Sequence, residues 1–276
     1  MPELPEVEVV CQGLIKHLPD RQILSFRQSG KSLRKPIPTA LIRRWVVEET
    51  ILSVRRRAKF ILLDMANAST MILHLGMTGR LGLFPWDSRL LVHDHACWRL
   101  DNGLELRLND TRRFGLIHCL PPGLTPDHFF AELGPDPFWE DFSPDYLIKK
   151  GSRRNGPVKN FLMDNRIVTG IGNIYASETL FASAIHPAKP TGEITRQQWR
   201  CIIQESRRIL SDAIACGGTT ISDYVNSSGE KGYFQVRLKV YAREGLPCLK
   251  CGAVITKMVL AGRATFLCPK CQKEEG

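Results

Sequence analysis

The segment CLKCGAVITKMVLAGRATFLCPKC, residues 248–271, carries the clearest structural signal in the chain. It contains two Cys-x2-Cys pairs, Cys248 with Cys251 and Cys268 with Cys271, separated by a hairpin-length spacer. Two such pairs match a tetrahedral structural zinc site, whereas redox proteins usually carry one pair. We therefore predict one structural Zn²⁺ held by all four thiolates, with no open position left for chemistry.

The spacer between the pairs predicts a small antiparallel hairpin. Residues 253–259 and 264–267 have the pattern of two short strands, and 260–263 would form the turn between them. This turn would project Arg263 outward. An exposed arginine is usually only solvated, but at the tip of a zinc hairpin in a basic protein phosphate contact is the favoured interpretation.

The composition of the whole chain favours a soluble protein that binds a polyanion. The 276 residues are sufficient for two domains, and Lys plus Arg outnumber Asp plus Glu by 38 to 28, giving a pI near 9.3. That charge suits nucleic acid first and an anionic membrane second. No apolar run approaches the roughly 20 residues needed to span a bilayer. The acidic, proline-rich start does not resemble a signal peptide, and nine cysteines without a secretion signal favour a reducing cytosol.

The pattern of apolar residues changes twice along the chain. Residues 3–18 have helical spacing, and 22–120 contain short strands with a hairpin turn at 101–103, typical of a β-sandwich or barrel. After the proline- and acid-rich stretch 134–145 the period becomes helical, with a Thr195/Gln198 capping box. We predict an α+β fold: an N-terminal helix plus β-sandwich domain, then a helical helix–two-turns–helix domain with a four-cysteine zinc-finger hairpin. The predicted divisions are 1–133 for the first domain, 134–150 for a linker, 151–235 for the helical domain and 236–276 for the zinc finger.

The N-terminal residues Pro2 and Glu3 admit two interpretations. Removal of Met1 would leave a secondary amine, partly unprotonated at neutral pH and able to attack an aldehyde-like carbon. The alternative is a plain helix start, because proline suits the first helical position and carboxylates suit the first turn. These residues alone favour the plain helix start.

Three further segments have the composition of nucleic-acid contacts. Residues 169–176 place two glycines and Asn173 ahead of a helix, which is a weak phosphate-binding signal. Residues 109–115 place Arg112 and Phe114 in a tight loop that would enter a base stack; a surface loop with a buried phenylalanine is the alternative. Met77 is a similar wedge candidate, with the buried core as its default. For the sequence 93–95, His-Asp-His, we favour DNA contact or a structural role over a second metal site.

Together these motifs resemble the formamidopyrimidine-DNA glycosylase family over essentially the whole chain. The segments that carry the resemblance are 2–8, 57–59, 74–79, 109–115, 170–176 and the zinc hairpin with 262–266. The resemblance implies base-excision DNA repair by a bifunctional DNA glycosylase/AP lyase. Such an enzyme removes oxidised purines such as 8-oxoguanine and formamidopyrimidines through an N-terminal proline Schiff base, and then cleaves the strand by β,δ-elimination.

The resemblance also implies a role for each matching residue. Pro2 would be the nucleophile, Glu3 the general acid/base, and Lys59 and Arg263 the basic groups of the elimination steps. The DNA-contacting residues would be His74, Met77, His93, Arg112, Phe114, Arg154, Lys159 and Asn173. Met77, Arg112 and Phe114 would fill the gap left by the flipped base. Thr111 stands where the family usually has proline, so this loop is expected to be less rigid than in the family, with its role unchanged.

Two other functions remain open at this stage. One is an oxidised-pyrimidine glycosylase of the endonuclease VIII branch, although Leu4 and the loop 112–114 look more like the purine-specific branch. The other is a non-catalytic zinc-finger protein that recognises lesions without cutting. The expected partner is damaged double-stranded DNA and no membrane, with the chain acting as a monomer. The expected location is the cytoplasm, on nucleoid DNA, and residues 217–235 are expected to cover the lesion.

Overall fold

The computed structural model describes residues 2–217 and 238–274. These residues fall into two compact units, 2–131 with 217, and 132–216 with 238–274. Within the described ranges, no helix is both long enough and apolar enough to cross a membrane.

The first unit consists of two four-stranded sheets, with one helix before their strands, one after the first strand and one after the last. Its elements in chain order are α1 (Leu4–Ile15), β1 (Ile23–Gln28), α2 (Thr39–Trp45), β2 (Ile51–Arg57), β3 (Phe60–Met65), β4 (Thr70–His74), β5 (Arg80–Pro85), β6 (Asp94–Leu100), β7 (Leu104–Asn109), β8 (Leu116–Leu120) and α3 (Pro126–Phe130). One sheet has the strand order β1-β6-β7-β5 and the other β2-β3-β4-β8, with antiparallel pairing throughout. The predicted hairpin turn at 101–103 joins β6 to β7, and the predicted β-sandwich is confirmed.

The core of this unit lies between the two sheets. Trp98 and Leu106 enter it from the first sheet, and Ile61 and Leu73 enter it from the second, all of them completely buried. Burial of each such side chain stabilises the fold by about 1.5–3 kcal/mol relative to an exposed one. The apolar face of α1, including Val7 and Leu14, joins the same core, and this packing fixes the helix that carries the N-terminal residues.

The N-terminal helix is shorter than the sequence predicted. It runs over Leu4–Ile15 rather than 3–18, because its last turn tightens: the Leu14 carbonyl accepts the N–H of His17, three residues on, as well as that of Leu18. Glu3 occupies the N-cap, so Pro2 precedes the helix instead of starting it.

The second unit is helical and ends in a small hairpin. Its elements are α4 (Pro144–Gly151), α5 (Val158–Leu162), α6 (Asn173–Ala182), α7 (Arg196–Ala215), β9 (Thr256–Leu260) and β10 (Arg263–Leu267). Tyr175, Trp199, Ile202 and Leu210 form its buried centre. The Thr195/Gln198 capping box is present at the start of α7, as predicted.

Residues 134–150, predicted to be a linker, are part of this folded unit. Ser143 caps α4 by accepting a hydrogen bond from the N–H of Tyr146, and Phe142 and Leu147 are buried in the helical core. The proline- and acid-rich composition indicated an exposed connection. However, proline at the first helical position and an acid in the first turn are also features of a helix start.

The hairpin at the C-terminus forms where the sequence predicted it, with shifted boundaries. Strand β9 begins at Thr256 rather than 253, and Arg263 pairs with Leu260 as the first residue of β10. Ala261 and Gly262 make the turn with positive φ angles of 46° and 72°. A separate apolar cluster, which includes Phe181, Val240, Ile255 and Phe266, connects this hairpin to α6 within the same unit.

Candidate active site and DNA-binding residues

Glu3 and Glu6 hold the N-terminus of α1 in a reciprocal capping box. The Glu6 carboxylate accepts the N–H of Glu3 at 2.8 Å, and the Glu3 carboxylate accepts the N–H of Glu6. The two residues are 2% and 4% exposed. Glu3 therefore sits next to Pro2 in a fixed backbone position, which a general acid/base beside a reacting amine requires.

The helix α1 is joined to the hairpin that carries Lys59. Glu8 of α1 pairs with Arg56 of β2 at 2.6 Å, and Ala58 and Lys59 form the turn between β2 and β3. Lys59 is 8% exposed, and His74 lies close enough for the Lys59 charge to help lower its pKa. The structure thus brings Lys59, in the β2–β3 turn, close to His74 at the end of the neighbouring strand β4.

Two loops of the first unit, 75–79 and 110–115, are joined by one buried carboxylate. Asp110 is completely buried; one of its oxygens accepts from the Thr78 hydroxyl at 2.7 Å and the other from the N–H of Gly115 at 2.7 Å. The Thr78 hydroxyl also accepts the N–H of Arg112 at 3.1 Å. These bonds hold the predicted wedge residues of both loops in one arrangement.

The interlocked loops expose their apolar side chains instead of burying them. Met77 is 39% exposed and Phe114 is 42% exposed, and the Arg112 guanidinium lies 4.9 Å from the centre of the Phe114 ring. The loops approach so closely that a Cβ on Gly76 would lie 2.4 Å from the carbonyl carbon of Phe114. The buried alternatives considered for Met77 and Phe114 are therefore wrong, and both side chains are accessible to a ligand.

The His93-Asp94-His95 segment has a hydrogen-bonded arrangement rather than that of a metal site. His95 contacts the Ser29 hydroxyl at 2.9 Å and the carbonyl of Asp110 at 3.1 Å, and Asp94 accepts from Asn109 at 2.8 Å. His93 is half-buried, and its carbonyl accepts the N–H of Asp110. The segment is thus attached to the loop that carries Arg112.

In the second unit, Asn173 begins α6 and contacts the zinc hairpin. Its amide nitrogen donates to the carbonyl of Ala264 at 2.8 Å, and its oxygen accepts from the Lys159 ammonium group. Lys159 is completely buried and also donates to the Thr265 hydroxyl at 2.7 Å. The resemblance predicted DNA contact for Lys159, but burial leaves no part of this side chain facing solvent. Its position connects the start of α6 to β10.

Arg263 and Arg154 are both exposed to solvent. Arg263 follows the Ala261-Gly262 turn and lies one residue before Ala264, which contacts Asn173. Arg154 forms a long 3.8 Å ion pair with Asp164, and its side chain is 45% exposed. The structure therefore places Asn173 and Arg263 near each other at one end of the hairpin.

The four cysteines converge as a tetrahedral metal site requires. Their sulfur atoms all lie within 4.8 Å of one another, and the N–H of Lys250 points to the sulfur of Cys248. A hydrogen bond with the backbone of Ala253 lowers the pKa of Cys251 to about 7, whereas desolvation raises the pKa values of Cys268 and Cys271, so without metal Cys251 is the thiol that ionises most readily of these three. Zn–S bonds of about 2.3 Å fit this spacing. The fit supports one structural Zn²⁺ with thiolate ligands and no open position.

Sequence reasoning missed the residues that hold these sites together. Asp110 and Thr78 were seen only as members of motifs. Glu178 was not noted at all, although its buried carboxylate accepts the N–H groups of three successive residues, 239–241, at 2.8–2.9 Å. The sequence signal that could have revealed Glu178 is the presence of an acidic residue inside the apolar segment that forms α6. The predicted lesion cover, 217–235, lies outside the described residues except for Gly217.

Three family models match the chain in succession. They are described as the formamidopyrimidine-DNA glycosylase N-terminal domain over residues 1–117, the formamidopyrimidine-DNA glycosylase H2TH domain over 133–225, and the zinc finger found in FPG and IleRS over 245–273. Relatives named formamidopyrimidine-DNA glycosylase include one from Shewanella loihica, 44% identical over 99% of each chain. Another, from Legionella pneumophila, is 41% identical over 99% of this chain and 98% of its own.

Solved structures with the same fold include complexes of the Lactococcus lactis enzyme. A variant bound to DNA containing Fapy-dG is 31% identical with a TM-score of 0.90, covering 99% of this chain and 100% of that one. A complex with DNA containing an abasic site gives the same values. The predicted family, fold class and zinc site are confirmed. The chain therefore belongs to the formamidopyrimidine-DNA glycosylase family, the DNA glycosylases of base-excision repair.

Proposed function

We propose that this glycosylase removes oxidised purines, 8-oxoguanine and formamidopyrimidines, and then cleaves the strand as an AP lyase. The observation that carries the proposal is the pair of interlocked loops that presents Met77, Arg112 and Phe114 to solvent. Exposed large apolar side chains held in one conformation do not stabilise the free protein. They suit a gap in a base stack, which forms when an enzyme flips a base out of duplex DNA.

The proposed chemistry starts at Pro2. After removal of Met1, the amine nitrogen of Pro2 attacks the anomeric carbon of the sugar, while the bond to the base breaks and Glu3 transfers a proton toward the departing base. The C1′–O4′ bond then breaks and opens the sugar ring, O4′ takes up the proton that the Pro2 nitrogen loses, and the resulting iminium acidifies the neighbouring sugar proton. Loss of that proton expels the 3′-phosphate, and a second elimination expels the 5′-phosphate. Lys59 and Arg263 are the proposed basic groups for these eliminations and for phosphate contact.

We propose that DNA binding is divided between backbone and base contacts. Asn173, Arg154 and Arg263 contact phosphates, which add affinity without sequence information. His74 and His93 contact the strand near the lesion. Lys159 acts through Asn173, because its ammonium group holds the Asn173 side chain from a completely buried position.

The remaining assignments follow from the same family membership. We keep the division into a catalytic part, 1–133, a helix–two-turns–helix part, 151–235, and a zinc finger, 236–276, and we add 134–150 to the helical part, because Phe142 and Leu147 pack in its core. The chain acts on DNA as a monomer. Because the relatives come from bacteria, we place its action in the cytoplasm, on nucleoid DNA.

Hydride trapping tests the proposed nucleophile. Borohydride should cross-link the protein to a duplex containing 8-oxoguanine through residue 2, and peptide mass analysis identifies that residue. Pro2→Gly should weaken trapping, and Glu3→Gln should greatly slow base release. A cross-link located at Lys59 would show that another amine forms the Schiff base.

The same reaction with different lesions separates the proposed function from its two rivals. Preferential trapping with oxidised purines supports the proposal, whereas preferential trapping with thymine glycol or 5-hydroxycytosine supports the pyrimidine branch. Tight binding without trapping or cleavage on any of these duplexes would indicate a non-catalytic lesion binder.

A further inference from the structure

The polar face of β7 is buried, although its sequence alternates in the manner of a strand with one solvated face. Glu105 is 3% exposed and Arg107 is 1% exposed. The Glu105 carboxylate accepts two bonds from the single Nη2 nitrogen of Arg27, one at each oxygen, at 2.9 and 3.0 Å, and a third from the Nε of Arg107 at 2.7 Å. Only the Nε of Arg107 bonds to Glu105, which leaves its two Nη groups for other partners.

The other donors of Arg107 point to the connection between β5 and β6, residues 86–93. Nη1 donates to the carbonyl of Arg89 at 3.1 Å, and Nη2 lies within 3.0–3.2 Å of the carbonyls of Pro85 and Ser88 and of the Ser88 hydroxyl. A planar guanidinium has five N–H donors in a rigid fork, so it fixes several backbone groups at once. Arg107 thus fixes the backbone at the start of this connection, up to Arg89, from a buried position.

The second half of the connection carries the exposed groups. Leu91 and Val92 are 55% and 86% exposed, and His93 follows them directly. The far end is anchored by Asp94, whose carboxylate accepts the N–H of Leu91 at 2.8 Å and lies 3.8 Å from Arg107. An exposed apolar tip and His93 are therefore held between two anchored ends.

We infer that Arg107 is a positioning residue for DNA binding, which fixes the connection 86–93 so that its tip and His93 meet the DNA in one conformation. The inference rests on the proposed DNA contact of this region. A loop that is ordered before binding loses little conformational entropy when the complex forms. Arg107 itself, being buried, touches no ligand, and its effect reaches the DNA through the backbone carbonyls of Pro85, Ser88 and Arg89.

The test compares Arg107→Met, Arg107→Lys and His93→Ala in single-turnover excision of 8-oxoguanine over a range of enzyme concentrations. Arg107→Met should raise the half-saturating enzyme concentration about tenfold, the cost of ordering about one additional residue on binding. The rate at saturation should stay within about twofold, because the chemistry lies elsewhere. Arg107→Lys keeps a charged donor group, so its half-saturating enzyme concentration should lie between those of the wild type and Arg107→Met.

Native trypsin digestion supplies a second readout, because the carbonyl of the Arg89–Leu90 bond is itself a partner of Arg107. Arg107→Met should speed cleavage at this bond, measured by peptide mass. Ile23→Ala is the control: it creates a cavity at a completely buried core position of β1. It should lower Tm without raising the half-saturating concentration or the cleavage at Arg89.

The outcomes separate this inference from the proposed function. If the half-saturating enzyme concentration rises for His93→Ala but for neither Arg107 variant, the positioning role is overturned and the DNA contact of His93 stands. A fall in the saturated rate of Arg107→Met, with unchanged half-saturation, would also overturn it. If the wild type excises no lesion under any condition, the proposed function itself fails. Should Arg107→Met not fold, Arg107→Lys carries the comparison alone.

Discussion

At the scale of single residues, burial keeps His74 neutral. Desolvation first, and then the charges of Arg34 and Lys59, lower the pKa of His74 to about 4. Its Nδ1 accepts the N–H of Gly76 at 2.9 Å, which requires that nitrogen to be unprotonated. The turn that begins the Met77 loop therefore depends on a neutral ring, which the protein maintains well below neutral pH.

Linkage gives this pKa a measurable consequence. The unfolded chain takes up a proton at His74 near pH 6.5 and the folded chain only near pH 4, so stability is lost as the pH falls between those values. The loss from this residue is at most about 3 kcal/mol. His74→Asn keeps an acceptor for Gly76 and does not titrate. The free energy of unfolding of the variant should therefore depend less on pH between 6.5 and 4, and parallel curves for the two proteins would contradict the assignment.

At the scale of elements, the loops 75–79 and 110–115 are held together because Thr78 of the first loop bonds to Asp110 and Arg112 of the second. Thr78→Val keeps the shape of the side chain and removes the hydroxyl. The buried Asp110 then loses a donor, and the N–H of Arg112 loses an acceptor. We expect a loss of about 1–3 kcal/mol in the free energy of unfolding, measured by urea denaturation.

The same substitution should separate base flipping from the later chemistry. Excision of a paired 8-oxoguanine should slow more than cleavage of an abasic site, because extruding a paired base costs more than handling a sugar that has none. Thr78→Ser keeps the hydroxyl and should behave like the wild type. Equal slowing on both substrates would show that these loops do not act at the flipping step.

At the scale of the whole molecule, the first unit and the zinc hairpin have separate apolar cores. Loss of the metal should therefore unfold the hairpin and spare the β-sandwich. Cys268→Ser should lower DNA affinity, while hydrogen exchange of β6 and β7 stays at its wild-type rate. Elemental analysis of the wild type should find one zinc per chain, and full DNA affinity in zinc-free protein would contradict this prediction.

The sequence predicted the features that depend on local patterns. Spacing of the cysteines predicted the zinc site, and the Asp101-Asn102-Gly103 turn with its flanking alternation predicted the β6–β7 hairpin. Features that depend on distant partners were not predictable. Nothing local shows that Glu105 and Arg107 of β7 are buried, because their partners Arg27 and the connection 86–93 lie elsewhere in the sequence. The burial of Lys159 was not predictable either, since its acceptors Asn173 and Thr265 are 14 and 106 residues away.

The close approach at Gly76 also restricts how this chain can vary. Any side chain at position 76 would collide with the backbone of Phe114, and the positive φ of 64° is itself unfavourable for other residues. A saturation library at position 76 should therefore yield glycine alone among active clones. Insertions in 110–115 should also abolish activity, because the close approach of the two loops leaves no room for an additional residue. In lineages that share this geometry, the two loops should gain and lose residues together or not at all.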